Sequence, residues 1–326
     1  MRMLVKDFLK AFLIGFVLPS ALMGITAFCC EQQDLLSRES DQLTLLQEKP
    51  VRYRVLCRTG ETVEERDLDT YLVGVVLAEM PASFEKEALK AQAVAARTYA
   101  RRAMVTGGKH GDGSVCAQAG CCQAYISAQE YLDRGGTPEN LQKVREAVEA
   151  TSGLIMTYEG EPIEATYFSC SGGRTEAAVE VWGSDYPYLQ SVDSPGEEEA
   201  SYHRDTAVFT PEEFGEKLGI QPQGNLKDWI SAVEYTAGGS VRKLIAGTES
   251  FTGTQLRSLL GLRSAAFDLE VADGKIHITT RGYGHRVGMS QYGANAMASS
   301  GAGYAQILSY YYQGAQLTWM GIEEDE

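Results

Sequence analysis

The chain has 326 residues, of which 44% are hydrophobic and 22% charged, as in a globular protein with a sizeable core rather than a disordered chain. Its formal net charge of −15 argues against nucleic acid as a partner, because binding to phosphates needs a basic surface. The same charge gives no attraction to anionic cell-wall polymers, so a neutral sugar chain is a more compatible ligand than a peptide-bearing, acidic one.

Residues 1–30 predict a cytoplasmic tip followed by a transmembrane anchor. Cations precede an uncharged run over residues 11–30, which is about the length that a helix needs to cross a bilayer. Cations before the run and acids after it place the rest of the chain outside the cell. A cleavable signal peptide is the alternative, but no clean cleavage site precedes Glu31, and Phe28 before Cys29 argues against a lipoprotein. We therefore expect a single-pass protein of the cell membrane with an extracytoplasmic C-terminal part.

A polar stalk is expected over residues 31–49, followed by one α+β domain over residues 50–320. Alternating apolar and polar residues around GG and DG turns predict antiparallel hairpins, on which the helices would pack. About residues 205–280 are expected to form a smaller inserted α+β subdomain. Residues 321–326 form an acidic tail.

The stretch YLVGVVLAEMPASFEKEALKAQAVAARTYA, residues 71–100, predicts two helices that are separated at Pro81. Glu79 is the single acid at the end of the apolar run, where it faces the negative end of the helix dipole. Both the dipole and any burial raise the pKa of this carboxyl, which favours its use as a general acid. The simplest alternative is a solvated residue at a helix corner.

Four potential metal ligands lie within residues 110–122. They are His110, Cys116, Cys121 and Cys122. Thiolates and an imidazole at short spacing are typical of tetrahedral zinc, and a closed set of four protein ligands would make the site structural. The alternatives are a Cys116–Cys122 disulfide with one free thiol, or unbound cysteines.

Two further motifs combine glycines with small polar residues that could contact a ligand. They are ATYFSCSGGRTE, residues 165–176, and RGYGHRVGMSQYGANAMA, residues 281–298. The candidate substrate contacts in them are Ser169, Ser171, Gly172, Gly173, Tyr283, His285, Ser290 and Gln291. Glycine pairs permit close approach of the backbone to a ligand, although the first motif could also be an ordinary turn and His285 a capping or core residue.

The three motifs, in this order, resemble the signature of the stage II sporulation protein D family, cell-wall lytic transglycosylases of spore-forming bacteria. The resemblance covers most of the chain from about residue 50 to the C-terminus. It implies that Glu79, in the xEMP corner, is the catalytic acid/base, and that the other two motifs contact the glycan. The family also has a zinc site whose ligand spacing is matched by His110, Cys116 and Cys122, whereas Cys121 stands where a fourth ligand, plausibly histidine, is expected.

The resemblance further implies a substrate and partners. The substrate would be peptidoglycan glycan strands stripped of stem peptides by a partner amidase, cleaved between N-acetylmuramic acid and N-acetylglucosamine to 1,6-anhydro ends. The protein would act at the sporulation septum during engulfment, in a complex with a membrane scaffold protein.

Three other functions remain open from the residues alone. A glycoside hydrolase would need a second carboxylate, for which Glu176 and Asp185 are weak candidates. A glycan-binding scaffold would anchor partners to the wall without cleaving it. A zinc-dependent amidase or peptidase is disfavoured by the closed ligand set and the lack of an HExxH helix.

Overall fold

A computed structural model describes residues 53–221 and 224–320 of the chain. The predicted anchor, stalk and acidic tail lie outside the described residues. Among the residues that are described, no helix is both long and apolar enough to cross a membrane. The predicted mixture of helices and antiparallel strands is confirmed.

The helices are distributed along the whole described chain. In order, they are α1 (Leu68–Glu79), α2 (Lys86–Thr106), α3 (Ala128–Asp133), α4 (Pro138–Glu149), α5 (Ala178–Trp182), α6 (Pro211–Leu218), α7 (Gly253–Leu260), α8 (Gln291–Ser299) and α9 (Tyr304–Tyr311). Short 3₁₀ helices occupy Gly108–His110 and Leu226–Asp228.

The strands are mostly short. They are β1 (Arg54–Thr59), β2 (Thr62–Asp67), β3 (Val115–Cys116), β4 (Leu154–Tyr158), β5 (Glu161–Pro162), β6 (Tyr167–Phe168), β7 (Arg204–Phe209), β8 (Ile230–Tyr235), β9 (Val241–Ala246), β10 (Glu249–Phe251), β11 (Phe267–Ala272), β12 (Lys275–Arg281), β13 (Met289–Ser290) and β14 (Gln316–Trp319). They form sheets in the orders β2-β1-β3, β10-β9-β8, β11-β12-β7, β13-β6 and β14-β4-β5.

Helices α1 and α2 lie at the centre of the main hydrophobic core. Leu72, Val75 and Val76 of α1 have no exposed surface, and α2 contributes a series of buried alanines whose small side chains permit close packing. The two helices also share a buried charge, because the guanidinium of Arg97 in α2 donates to the carboxylate of Asp69 at 2.9 Å. This arrangement fixes the direction in which α1 delivers its last residue.

A second hydrophobic cluster is built by residues between 207 and 278, from the sheets β10-β9-β8 and β11-β12-β7 with helices α6 and α7. Phe214 and Leu244 at its centre have no exposed surface. The exact bounds of the expected subdomain, at about 205–280, stay a prediction.

The second and third sequence motifs come together through strand pairing. Strand β13 pairs in parallel with β6, placing Met289 opposite Tyr167. An isolated bridge joins Cys170 to Tyr283. Residues that are more than a hundred positions apart in sequence therefore lie next to each other in the structure.

Candidate active site and metal cluster

Glu79 is the last residue of α1. Met80 leaves the helix with extended backbone angles, φ −130° and ψ 138°, as expected for a residue that precedes proline. The N–H of Met80 still donates to the carbonyl of Val76, which closes the last turn. The carboxyl of Glu79 therefore extends from a fixed corner.

Two hydrogen bonds hold the Glu79 carboxyl in place. The backbone N–H of Ala124 donates to its Oε1 at 2.6 Å, and the side chain of Gln291 also bonds to it. Burial raises the pKa of Glu79, and these two bonds oppose the effect only in part, so the pKa lies above its ordinary value. This environment favours a protonated carboxyl over a wider pH range than in water.

The Glu79 carboxyl lines a cleft of about 850 Å³. Of the predicted substrate contacts, Ser169, Tyr283, His285 and Gln291 line the same cleft. The structure thus brings together residues from all three motifs around one cavity.

Aromatic side chains form much of the cleft wall, and of these the sequence had singled out only Tyr283; Tyr167, Trp182 and Tyr186 are among the others. Trp182 is 41% exposed and Tyr283 is 38% exposed, so both rings are accessible to a ligand. Exposed rings of this kind are suited to packing against the apolar face of a sugar. The sequence did contain a signal for Trp182, since this residue lies at the start of the segment VWGSDYPYLQSVDSP, residues 181–195, which continues the second motif.

His285 packs edge-on against Phe168 and at a tilt against Trp182, with ring centroids 5.6 and 5.4 Å apart. Its Nδ1 accepts from the backbone N–H of Val287 at 3.2 Å. Burial, and then the nearby charge of Arg257, lower the pKa of His285 to about 4. His285 is therefore a neutral polar group of the cleft at physiological pH.

The other four predicted contacts do not line the cleft. Ser171 and Gly172 donate instead to Oε2 of Glu197, through backbone N–H groups at 2.8 and 2.9 Å, and the Ser171 hydroxyl adds a third bond at 2.8 Å. The Ser290 hydroxyl donates to Oε1 of the same carboxylate, while Gly173 donates its N–H to the Ser171 hydroxyl at 3.0 Å. Glu197 is 1% exposed. The buried carboxylate of Glu197 therefore links the second motif to the third in the interior of the protein.

Gly172 illustrates why the second motif needs a glycine. Its φ is +72°, and a Cβ at this position would lie 2.7 Å from the backbone of Arg281 and Gly282. Any other residue would be strained by the left-handed backbone and would collide with the third motif.

The candidate second carboxylates lie elsewhere. Glu176 has no exposed surface and accepts from the Thr236 hydroxyl at 2.6 Å, whereas Asp185 is exposed and is not part of the cleft wall. Besides Glu79, the described cleft wall contains one carboxylate, Glu164, which is paired with Arg102 at 2.8 Å. Within the described residues, Glu79 is therefore the one carboxyl of the cleft without an ion-pair partner.

The four predicted metal ligands form a compact cluster. Their ligand atoms all lie within 4.8 Å of one another. His110 Nε2 is 3.5 Å from Cys122 Sγ and 3.8 Å from Cys121 Sγ, and the two sulfur atoms are 3.9 Å apart. Around a tetrahedral zinc ion, with bonds of about 2.0–2.3 Å, ligand atoms lie roughly 3.3–3.8 Å apart. The donor set and its spacing fit a metal ion.

The thiols of the cluster are not oxidised to a disulfide, and Cys57 and Cys170 are free as well. Cys116 is held by β3, which pairs in parallel with β1. Burial raises the pKa of Cys116, but a backbone hydrogen bond from Gln118 and bonds within the cluster outweigh it and bring the pKa to about 7. Cys116 therefore favours the thiolate, the form in which cysteine binds metals, whereas burial and the neighbouring thiols raise the pKa of Cys121 to about 11.

The cluster of four candidate metal ligands is directly connected to Glu79. Cys122 is followed by Gln123, whose amide accepts from the Tyr167 hydroxyl at 2.7 Å, and then by Ala124, which donates to Glu79. The segment that carries two of the candidate ligands thus also orients the cleft carboxyl.

The fold and site together define an α+β protein with an acid at a helix corner, an aromatic cleft and an adjacent cluster of four candidate metal ligands. A family model described as Stage II sporulation protein (SpoIID) matches residues 58–158. Two relatives, both named stage II sporulation protein D, come from Bacillus amyloliquefaciens and Bacillus subtilis (strain 168). Each is 41% identical over 84% of this chain and 80% of its own length. The chain belongs to the stage II sporulation protein D family.

A more distant similarity extends to an amidase enhancer of Bacillus subtilis (strain 168). It is 30% identical over 303 residues, which are 76% of this chain and 40% of that protein.

Proposed function

We propose that the protein is a lytic transglycosylase that cleaves the bonds between N-acetylmuramic acid and N-acetylglucosamine in peptide-free glycan strands of the cell wall during sporulation. The observation that carries the proposal is the raised pKa of Glu79 in a cleft lined by aromatic and polar groups. Family membership supports the role in sporulation, and the name of the amidase enhancer fits a role at the cell wall.

In this reaction Glu79 would act first as an acid and then as a base. The protonated carboxyl gives its proton to the glycosidic oxygen, and the bond between that oxygen and C1 of the muramic residue breaks. The resulting carboxylate then takes the proton of the C6 hydroxyl of the same sugar as that oxygen bonds to C1. The product has a 1,6-anhydro ring, no water is consumed, and Glu79 regains its proton.

Two features favour this reaction over hydrolysis. The described wall holds one unpaired carboxyl, whereas most glycoside hydrolases use two. In a hydrolase, the second carboxylate can activate a water molecule. In the proposed reaction, the C6 hydroxyl of the muramic residue takes the place of that water. The bonds from Ala124 and Gln291 would keep the Glu79 carboxyl oriented while it exchanges its proton with the sugar.

We further propose that zinc occupies the cluster of His110, Cys116, Cys121 and Cys122. Four protein ligands leave no open position for a substrate, so the ion would stabilise the loop and would not take part in the reaction. The acid–base chemistry of the cleft then rests on Glu79 alone.

The proposal includes a location and partners. The N-terminal segment would anchor the protein in the membrane, with the cleft outside the cytoplasm at the sporulation septum. An amidase would supply the peptide-free strands, and a membrane scaffold protein would hold the two enzymes together.

The test is mass spectrometry of glycan strands, with and without stem peptides, after incubation with the protein. We expect products with 1,6-anhydro ends, and we expect Glu79→Gln to lower the rate by about 10²–10⁴-fold. Glu139→Gln, which removes the same charge from an exposed position in α4, is the matched control. Hydrolysed reducing ends would indicate a muramidase, and binding without cleavage under all conditions would favour the glycan-binding scaffold.

A further inference from the structure

Arg257 is a positively charged residue of the cleft wall that sequence reasoning did not single out. It lies in the last turn of α7, a helix that contributes Leu256 and Leu260 to the second hydrophobic cluster, and it lines the cleft together with Tyr283 and His285. Its side chain is partly buried. A helix that packs in the second hydrophobic cluster thus contributes a cation to the cleft that contains Glu79.

In the described part of the chain, Arg257 has no ion-pair partner. The nearby arginines differ in this respect, since Arg263 pairs with Asp205 at 2.9 Å and Arg281 pairs with Asp268. Another cation of the cleft wall, Lys109, donates to the carbonyl of Cys121.

The surroundings of Arg257 are unfavourable for an uncompensated charge. Burial lowers the pKa of the guanidinium, and no carboxylate counteracts this effect. After burial, its charge is the next cause that lowers the pKa of His285, which lines the same cleft. A partly desolvated guanidinium without a counter-ion favours the binding of an anion, and a carboxylate matches its two parallel N–H groups.

The substrate of the proposed reaction carries such a carboxylate. Each muramic residue bears a lactyl ether, whose carboxyl group is an amide as long as a stem peptide is attached. Removal of the peptide by an amidase releases one negative charge for every disaccharide. A peptide-free strand is therefore anionic at the muramic residues and uncharged at the glucosamine residues.

We propose that Arg257 binds the free lactyl carboxylate of a muramic residue and thereby makes the cleft selective for strands that have lost their stem peptides. This inference rests on the proposed function of the same cleft. It also resolves a difficulty of the composition, because a protein with a net charge of −15 needs a local cation to bind an anionic strand. The reaction that supplies the substrate must then be an amide hydrolysis at the lactyl group.

The helix itself offers a second explanation for a cation at this position, since a positive side chain in the last turn is favourable to the helix dipole. This structural role predicts a change in stability but no change in the choice between charged and uncharged ligands. The experiment must therefore measure how strongly the protein prefers a strand with lactyl carboxylates over an uncharged one.

The test measures binding of three strand preparations to the full chain with Glu79→Gln, which keeps the strands intact during the measurement. The first preparation is peptide-free, the second is peptide-free with its lactyl carboxylates converted to amides, and the third bears stem peptides. We expect the carboxylate strands to bind roughly 10- to 100-fold more tightly than the amidated strands. Adding Arg257→Gln should abolish this difference by weakening only the binding of the carboxylate strands.

Two further variants complete the experiment. Arg257→Lys keeps the charge but not the paired N–H groups, so it should keep part of the preference and covers the case in which Arg257→Gln does not fold. Arg134→Gln removes an equal charge from an exposed position between α3 and α4, outside the cleft wall, and should keep the full preference.

The inference is overturned if the protein does not distinguish carboxylate from amide, or if folded Arg257→Gln keeps the distinction. It is also overturned if peptide-bearing strands bind as tightly as the carboxylate strands in an Arg257-dependent manner, because a stem carboxylate would then be the ligand. Failure of the proposed function looks different, since the binding preference would persist while the unsubstituted protein left the strands uncleaved.

Discussion

At Glu79, burial and hydrogen bonding act on the same carboxyl in opposite directions. Burial disfavours the charged form, whereas the N–H of Ala124 and the side chain of Gln291 stabilise it. Because burial prevails, the folded protein holds the proton to a higher pH than the unfolded chain does. The protonation state of Glu79 that the proposed chemistry requires therefore also affects the free energy of unfolding.

We predict that Glu79→Gln makes the protein more stable than the unsubstituted chain at neutral and alkaline pH. When the folded-state pKa is raised, unfolding releases a proton between the unfolded and folded pKa values, so stability falls as pH rises through this window. For every tenfold difference in proton affinity between the folded and unfolded chain, the free energy of unfolding falls by about 1.4 kcal/mol. Glutamine avoids this loss and retains an oxygen that can accept from Ala124.

The measurement is the melting temperature of both proteins from pH 4 to pH 8. The melting temperature of the variant should rise relative to that of the unsubstituted chain as pH increases. The difference should level off above the pKa of Glu79. Glu139→Gln, at an exposed site, should give a nearly constant difference over the same range. If the melting temperature of the variant instead fell relative to that of the unsubstituted chain as pH rises, the result would contradict the raised pKa of Glu79.

At the scale of elements, the site depends on the loop that joins α1 to the cluster of four candidate metal ligands. The segment after Cys122 packs against α1 at Gly74, whose carbonyl accepts from the N–H of Ile126 at 3.2 Å. A Cβ on Gly74 would lie 2.3 Å from the ring of Tyr125, so the absence of a side chain permits this close approach. The position of Ala124 beside Glu79 thus depends on both the helix and the loop.

We predict that removal of the metal, by a strong chelator or by Cys116→Ser, lowers both the thermal stability and the cleavage rate, although Cys116 does not line the cleft. Without an ion, the loop loses the restraint that keeps the Ala124 N–H at the carboxyl. Cys57→Ser, which changes a free cysteine outside the cluster, is the control for cysteine chemistry.

Metal content and the absorption of the cobalt-substituted protein would establish one tetrahedral ion per chain. Retention of full activity by the metal-free protein would refute the coupling between the loop and Glu79. A loss of activity without a change in stability or loop structure would instead indicate an ion that takes part in the reaction.

At the scale of the whole molecule, one buried arginine connects the main core to the second cluster. Arg286 donates to the carbonyls of Ser171 and Arg174 at 2.8 and 2.7 Å, on one side, and to the carbonyl of Gly238 and the hydroxyl of Ser240 at 2.9 and 2.8 Å, on the other. Its φ of +65° is unusual for a residue with a side chain and costs free energy that these bonds offset.

We predict that Arg286→Met destabilises the protein by about 3–5 kcal/mol, because it leaves the buried Glu176 carboxylate without its nearby positive charge and several acceptors without donors. Hydrogen exchange should become faster in β8 and β9, while β4 in the main core is affected only through global stability. The pair Arg242–Glu180 also links these two parts, but Arg242 is exposed to solvent, which screens the interaction, so Arg242→Met should have little effect on the free energy of unfolding. Equal effects of the two substitutions would contradict the proposed importance of the buried connection.

The sequence by itself determined the elements and the candidate acid. The hydrophobic run that ends at Glu79 and the proline two positions later suffice to predict a carboxyl at a helix corner, because helix propensity and the proline effect are local. The ligand types and spacing of residues 110–122 likewise predicted the cluster, since the four residues lie close together in sequence, although Cys116 is also held by the pairing of β3 with β1.

Only the tertiary structure decided which polar residues face the cleft and which are internal. Ser169 and Ser171 are two positions apart in one motif, yet Ser169 lines the cleft and Ser171 binds the buried carboxylate of Glu197. Glu197 and Arg257 carry no local signal, because their roles arise from contacts with distant segments. Solvent exposure and the pairing of charges depend on packing over the whole chain, and no pattern of neighbouring residues encodes them.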